Sequence, residues 1–206
     1  MQIQIYILAI VILIFSIVVH EVMHGYVAYK LGDSTAKFMG RLTLNPIPHI
    51  DLLGTIIIPL LLIVSRSPIL FGWAKPVPVN FNNLRNPKKD SVYVALAGPA
   101  SNFVLAIVFA IFFHLLSFLS LNIVFWYGVY INLILGIFNL IPIPPLDGGR
   151  IAVGLLPLRY SYMLQRIEPF GIYIVVILLF LGFFSYTIFP LVNYLSRFLV
   201  GGGFYG

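Results

Sequence analysis

Residues 1–30 read MQIQIYILAIVILIFSIVVHEVMHGYVAYK, and the first charged side chain among them is Glu21. A run this long and this apolar suits hydrocarbon, where backbone N–H and C=O groups must be satisfied inside the segment; it is therefore a helix. The apolar pattern stops at Lys30-Leu31-Gly32-Asp33, where Gly32 can serve as a helix C-cap. No basic residue precedes the run and no small-residue cleavage site follows it, so we read one uncleaved helix over about residues 3–31.

Working outward, the rest of the chain has the same character. Its 206 residues are 61% hydrophobic and 9% charged, with a mean hydropathy of +1.04. A soluble domain carries about 25% charged residues, so this chain cannot cover a water-facing surface. Residues 91–146 contain no Asp, Glu, Lys or Arg. As one helix they would run about 84 Å, so they cross twice, with a break near Ser117–Asn122 and helices at about 91–117 and 122–141. Residues 52–64 are apolar but number thirteen, about 20 Å, and contain Pro59; a re-entrant or tilted segment fits them as well as a span. Residues 151–168 are amphipathic, and 170–199 form one kinked span or a span plus an interfacial helix. Alternation over Lys37–Leu44 suggests a short strand or hairpin at the membrane edge. The expected fold is an all-α polytopic membrane protein with about four to six transmembrane segments and that strand or hairpin near 37–44. It forms a single membrane-embedded domain over 1–206, with its core at about 3–150 and C-terminal helices at 151–200.

Twelve Lys and Arg against six Asp and Glu give a net charge of +6. The basic residues fall between apolar runs, as cytoplasmic loops require, and no basic stretch is interleaved with aromatics as a base-stacking groove would be; nucleic acid is not an expected partner. With no Cys, disulfides, thiolate metal sites and a cysteine nucleophile are excluded.

Inside the first helix lies His20-Glu21-Val22-Met23-His24, an H-E-x-x-H pattern. Residues four apart are about 40° apart round a helix, so both imidazoles can bind one ion. Glu21, about 100° from His20, sits beside the ion but off the ligand axis, where it can accept a proton from water. Ionisable groups at that depth are costly and mark function. Two histidines need a third ligand, and the candidates are His49, His114, Asp51, Asp147 and the remaining acids. Asp147 is best placed: it follows a long uncharged helix broken by Pro142, Pro144 and Pro145, and Gly148-Gly149 allows close backbone approach. Asp51 reads better as a helix cap, His49 as an interfacial residue and His114 as a hydrogen-bonded structural histidine. Asn102 reads as an interhelical hydrogen bond within a small-residue stretch.

Three segments in this order, His20–Gly25, Gly98-Pro99-Ala100-Ser101-Asn102 and Asn139–Arg150 (NLIPIPPLDGGR), resemble the site-2 protease family of intramembrane zinc metalloproteases. Gly40–Pro46 (GRLTLNP) and Phe71–Asn80 (FGWAKPVPVN) are similar to its small prokaryotic branch, without PDZ or CBS domains. The resemblance covers about residues 12–152. It implies a zinc metalloendopeptidase with one Zn2+ per chain held by His20, His24 and Asp147, with Glu21 as general base and Asn139 by the active site. Asn139 could hydrogen-bond substrate backbone or the developing oxyanion. The implied substrates are single-span membrane proteins, cut within or near the span. There is no room for a PDZ domain between the first segments nor for a CBS pair after residue 200, so regulation through such domains is expected to be absent or supplied by partners, a regulatory protein or a second copy of the chain. The implied location is a prokaryotic cell membrane, with the site opening to the cytoplasm. A metal transporter and a catalytically silent binding homologue are the alternatives; the first needs a continuous polar path and the second has no need of Glu21.

Overall fold

The computed structural model describes residues 2–65, 72–116 and 121–201. Helix α1 (Gln2–Lys30) ends in a Schellman motif: Asp33 N–H bonds Ala28 O at 2.9 Å, Gly32 N–H bonds Tyr29 O at 3.3 Å, and Gly32 takes φ +118°. The short α2 (Thr35–Phe38) follows, then a π-helical turn, Leu52–Ile57, that runs into α3 (Ile58–Val64). The long α4 (Pro87–Leu115) and α5 (Asn122–Asn139) return across the molecule. Beyond the Pro142–Pro145 turn come α6 (Asp147–Leu155), α7 (Leu158–Ile167), α8 (Gly171–Phe180) and α9 (Phe189–Val200). Among the described residues, four helical stretches are long and apolar enough to cross a membrane: Ile7–Lys30, Pro87–Leu115, Asn122–Asn139 and Leu158–Phe180. The protein is an integral membrane protein of helical architecture.

Helices α1, α4 and α5 pack together, and α6 lies against α4. A core of Ala106, Ala110, Phe113, Val129, Leu133 and Val192 joins α4 and α5 to α9. The expected break near 117–122 falls largely outside the described residues, but α4 and α5 end and begin on either side of it. In the C-terminal third the helix breaks at Gly182 (φ +77°), and Pro190 sits at the start of α9.

The strand or hairpin expected near 37–44 does not form; among the described residues there is no strand. Backbone N–H groups of Phe38, Met39, Gly40 and Arg41 bond back to Ser34, Thr35, Lys37 and Ala36, which leaves no ladder to build. Phe38 is 87% exposed, so its hydrophobicity marks an outward position and not one face of a sheet. Residues 72–80, which form neither helix nor strand, are held on both sides. Trp73 N–H bonds Gly54 O, Lys75 N–H bonds His49 O, and Asn80 N–H bonds Asp33 Oδ2 at 2.7 Å. Asp33 is fully buried and also accepts from Asn83 Nδ2, Thr35 N–H and the Thr35 hydroxyl. Burial alone would raise its carboxyl pKa; these donors outweigh burial and hold it below the usual carboxylate range.

Candidate metal centre

Two turns before the end of α1, His20 and His24 present their Nε2 atoms 3.0 Å apart. Asp147, the first residue of α6, brings Oδ2 to 3.1 Å from His20 Nε2 and 3.2 Å from His24 Nε2. The turn before it sets this position. Gly148 and Gly149 pack so tightly on Leu140–Pro144 that a Cβ on either would overlap backbone. From α4, Gly98 comes up against the pair, and a Cβ there would overlap Nε2 of both histidines.

The donor count shows what the cluster fits. His20 Nδ1 donates to Asn102 Oδ1 at 2.6 Å, and His24 Nδ1 donates to the Val94 carbonyl at 2.7 Å. Each neutral imidazole then has its lone pair on Nε2, the atom facing Asp147. The buried Asp147 Oδ2 finds no hydrogen-bond donor. Three acceptors converge within 4.8 Å of one another with no proton among them, which is the environment of a cation. Two nitrogens and a carboxylate oxygen form a donor set that suits zinc and leaves a coordination position open.

Glu21 lies beside this cluster, and its Oε2 accepts the Val77 N–H at 2.8 Å. Arg41, 7% exposed, donates from Nη2 to the carbonyls of Lys75 (2.9 Å) and Pro76 (3.2 Å), the two residues before Val77. A cavity of about 140 Å³, room for several waters, is lined by His20, Glu21, His24, Val77, Asn139 and Asp147, with Arg150 also on its wall. Asn139, the last residue of α5, donates one N–H to Leu135 O at 2.9 Å.

Of the other sequence candidates, none joins the cluster. Asp51 caps the 52–57 turn by accepting Gly54 N–H at 2.7 Å. Buried His49 shares Nε2 with Thr43 O at 3.0 Å, and His114 Nε2 lies 2.8 Å from Leu199 O, tying α4 to α9. Asn102 does bond between helices, but sequence reasoning missed that it also orients His20. Arg41, Val77 and Gly98 entered only within the stretches that carry the resemblance; their supporting roles arise from contacts distant in sequence and had no signal of their own.

Peptidase family M50 matches residues 8–122 and 114–182. The chain is 39% identical to "Putative zinc metalloprotease YwhC" of Bacillus subtilis (strain 168), over 89% of this chain and 85% of that protein. It is 29% identical to "Putative zinc metalloprotease Rip2" of Mycolicibacterium smegmatis, over 97% of this chain and 79% of that protein. It is 30% identical to "Zinc metalloprotease MJ0392" of Methanocaldococcus jannaschii, over 74% of this chain and 35% of that protein. No solved structure matches the chain. With a metal-ready His-His-Asp cluster between apolar helices and this family match across its length, the chain belongs to peptidase family M50, the site-2 proteases, and is a membrane zinc metalloprotease.

Proposed function

We propose that the protein hydrolyses peptide bonds within or near the transmembrane segments of single-span membrane proteins, with His20, His24 and Asp147 as the ligands of one zinc ion per chain and Glu21 as general base. The observation that carries this reading is the convergence of three proton-free acceptors beside a carboxylate in a cavity with room for several waters. Zinc, when bound, supplies a Lewis acid that lowers the pKa of water towards ~7 and polarises the scissile carbonyl. The residues supply the rest. Glu21, steadied by Val77 N–H, takes a proton from water in the cavity and returns it to the leaving nitrogen. Asn139 has a second N–H beyond the one given to Leu135 O, and on the cavity wall it can meet substrate backbone or the developing oxyanion. We read residues 1–206 as one membrane-embedded domain, its core at about 3–150 and its C-terminal helices at 151–200. The site opens to the cytoplasm of a prokaryotic cell membrane; the relatives above come from bacteria and an archaeon.

The test is metal content together with cleavage of a model single-span substrate in proteoliposomes. Wild type should bind one zinc and cleave, Glu21→Gln should bind zinc without cleaving, and His24→Ala and Asp147→Ala should lose both. Cleavage by Glu21→Gln at the wild-type rate would overturn the general-base role.

A further inference from the structure

Behind His20, away from the cavity, three polar side chains are fully buried in an otherwise apolar interior: Ser16 on α1, Asn102 on α4 and Asn132 on α5. Their hydrogen bonds have one consistent direction. Asn132 has an amide atom 2.9 Å from the Gly128 carbonyl, which can only accept, so that atom is Nδ2. The same Nδ2 lies 2.9 Å from Ser16 Oγ. Asn132 must therefore turn Oδ1 towards Asn102, and at 2.9 Å Asn102 must answer with its own Nδ2, which also lies 3.5 Å from Ser16 O. That leaves Asn102 Oδ1 facing His20 Nδ1 at 2.6 Å. An oxygen there demands a proton on Nδ1, and a neutral imidazole then has its lone pair on Nε2, towards Asp147.

We propose that Gly128 O, Ser16, Asn132 and Asn102 form a directional relay that fixes the tautomer of His20, making Asn102 and Asn132 positioning residues for metal capture. The inference rests on the reading of His20 as a zinc ligand. With the relay intact, the amide of Asn102 cannot flip without setting oxygen against oxygen at Asn132 Oδ1. Without Asn132 it can flip and offer Nδ2 to His20 Nδ1, which moves the proton to Nε2 and blocks the ligand atom. Partners that orient a ligating histidine are worth about 10- to 100-fold in metal affinity.

The experiment uses the full chain in detergent. The tautomer is read in metal-free protein from the 15N shifts of labelled histidine, with His20→Ala to assign the signal among the four histidines. Zinc affinity is read separately by chelator competition. In Asn132→Leu, His20 should lose its exclusive Nδ1–H form, and affinity should fall about 10- to 100-fold. Asn102→Leu should behave alike. Asn102→Asp should keep the Nδ1–H form and bind zinc more tightly than Asn102→Leu, because as a neutral acid it donates to Asn132 Oδ1 and still accepts from His20. A purely structural role predicts the reverse order, since a carboxyl buried among apolar helices packs worse than Leu. An unchanged tautomer and affinity in Asn132→Leu, or an Asp variant weaker than the Leu variant, would overturn the relay. Should Asn132→Leu fail to fold, the Asn102 pair decides by itself. Retention of zinc by His20→Ala would sink the ligand reading instead, while the tautomer still judges the relay.

Discussion

Glu21 and Gly98 show how narrowly single atoms define this site. Glu21→Gln keeps an oxygen for the Val77 N–H but has no basic carboxylate. Its cleavage rate should fall by about 10²- to 10⁴-fold, the usual contribution of a positioned general base, with zinc content retained. Gly98 matters for what it lacks. A methyl group there would occupy the space of both histidine Nε2 atoms, so Gly98→Ala should lose zinc even though alanine is the better helix former. Metal analysis of the purified variant checks this; a Gly98→Ala chain with full zinc content would show that α1 and α4 can part without disturbing the ligands. H-E-x-x-H and Asp147 were legible in the sequence because ionisable groups stand out in uncharged runs. Gly98 was legible only through resemblance, since no pattern of its own says which side chains a glycine must clear.

Two short elements hold the cavity wall in place. Asp33 ties the end of α1 to residues 80–83 through charge-assisted hydrogen bonds. Its pKa is lowered in the folded state, so its contribution to stability is complete above the ordinary carboxylate pKa of ~3.9 and is lost as pH falls towards the lower folded value. Asp33→Asn should cost about 2 kcal/mol at neutral pH and flatten that part of the acid dependence, measurable by thermal unfolding across pH in detergent. Arg41 acts one step nearer the chemistry. Its guanidinium holds the carbonyls of Lys75 and Pro76, which sets the following N–H of Val77 on Glu21. Arg41→Met should lower kcat about tenfold, equivalent to about 1.4 kcal/mol, with zinc content unchanged. Equal loss of zinc would assign Arg41 to general stability. The sequence misled at this scale. Alternating residues over 37–44 read as a strand, whereas their backbone donors close local turns and Phe38 points outward.

At the scale of the molecule, the hydrogen bonds across the 33–80 excursion decide topology. Arg85 N–H bonds Leu31 O at 3.1 Å, and Asn80 and Asn83 bond Asp33. The C-terminal end of α1 and the start of α4 therefore lie side by side, and we propose that both meet one membrane face, with residues 52–64 leaving and returning on that face. The long helices were legible because hydrocarbon tolerates no charge, but the shortness of 52–64 left re-entrant, tilted and spanning readings open in the sequence; these contacts favour the re-entrant one. His24 lies six residues before Lys30, about 9 Å in, and His20 ten residues, about 15 Å, so water must enter from this same face. Asp147 joins them there because α5 returns from the opposite side. Lys30, Lys37, Arg41, Lys75, Arg85, Lys88 and Lys89 lie in or next to the connection between α1 and α4, and Arg150 is on the cavity wall, whereas Arg197 lies near the far end of α4, which His114 joins to Leu199. By the positive-inside rule we propose that the basic face is cytoplasmic and the N-terminus outside. The naturally Cys-free chain allows a direct check with membrane-impermeant thiol reagents on oriented vesicles. Lys37→Cys and Arg85→Cys, both at exposed positions, should react from the cytoplasmic side, and Leu121→Cys, at the start of α5, from the opposite side. Reaction of Lys37→Cys and Arg85→Cys from opposite sides would turn 52–64 into a full span and overturn this topology. Reaction of both from outside would keep the re-entrant segment and reverse the orientation.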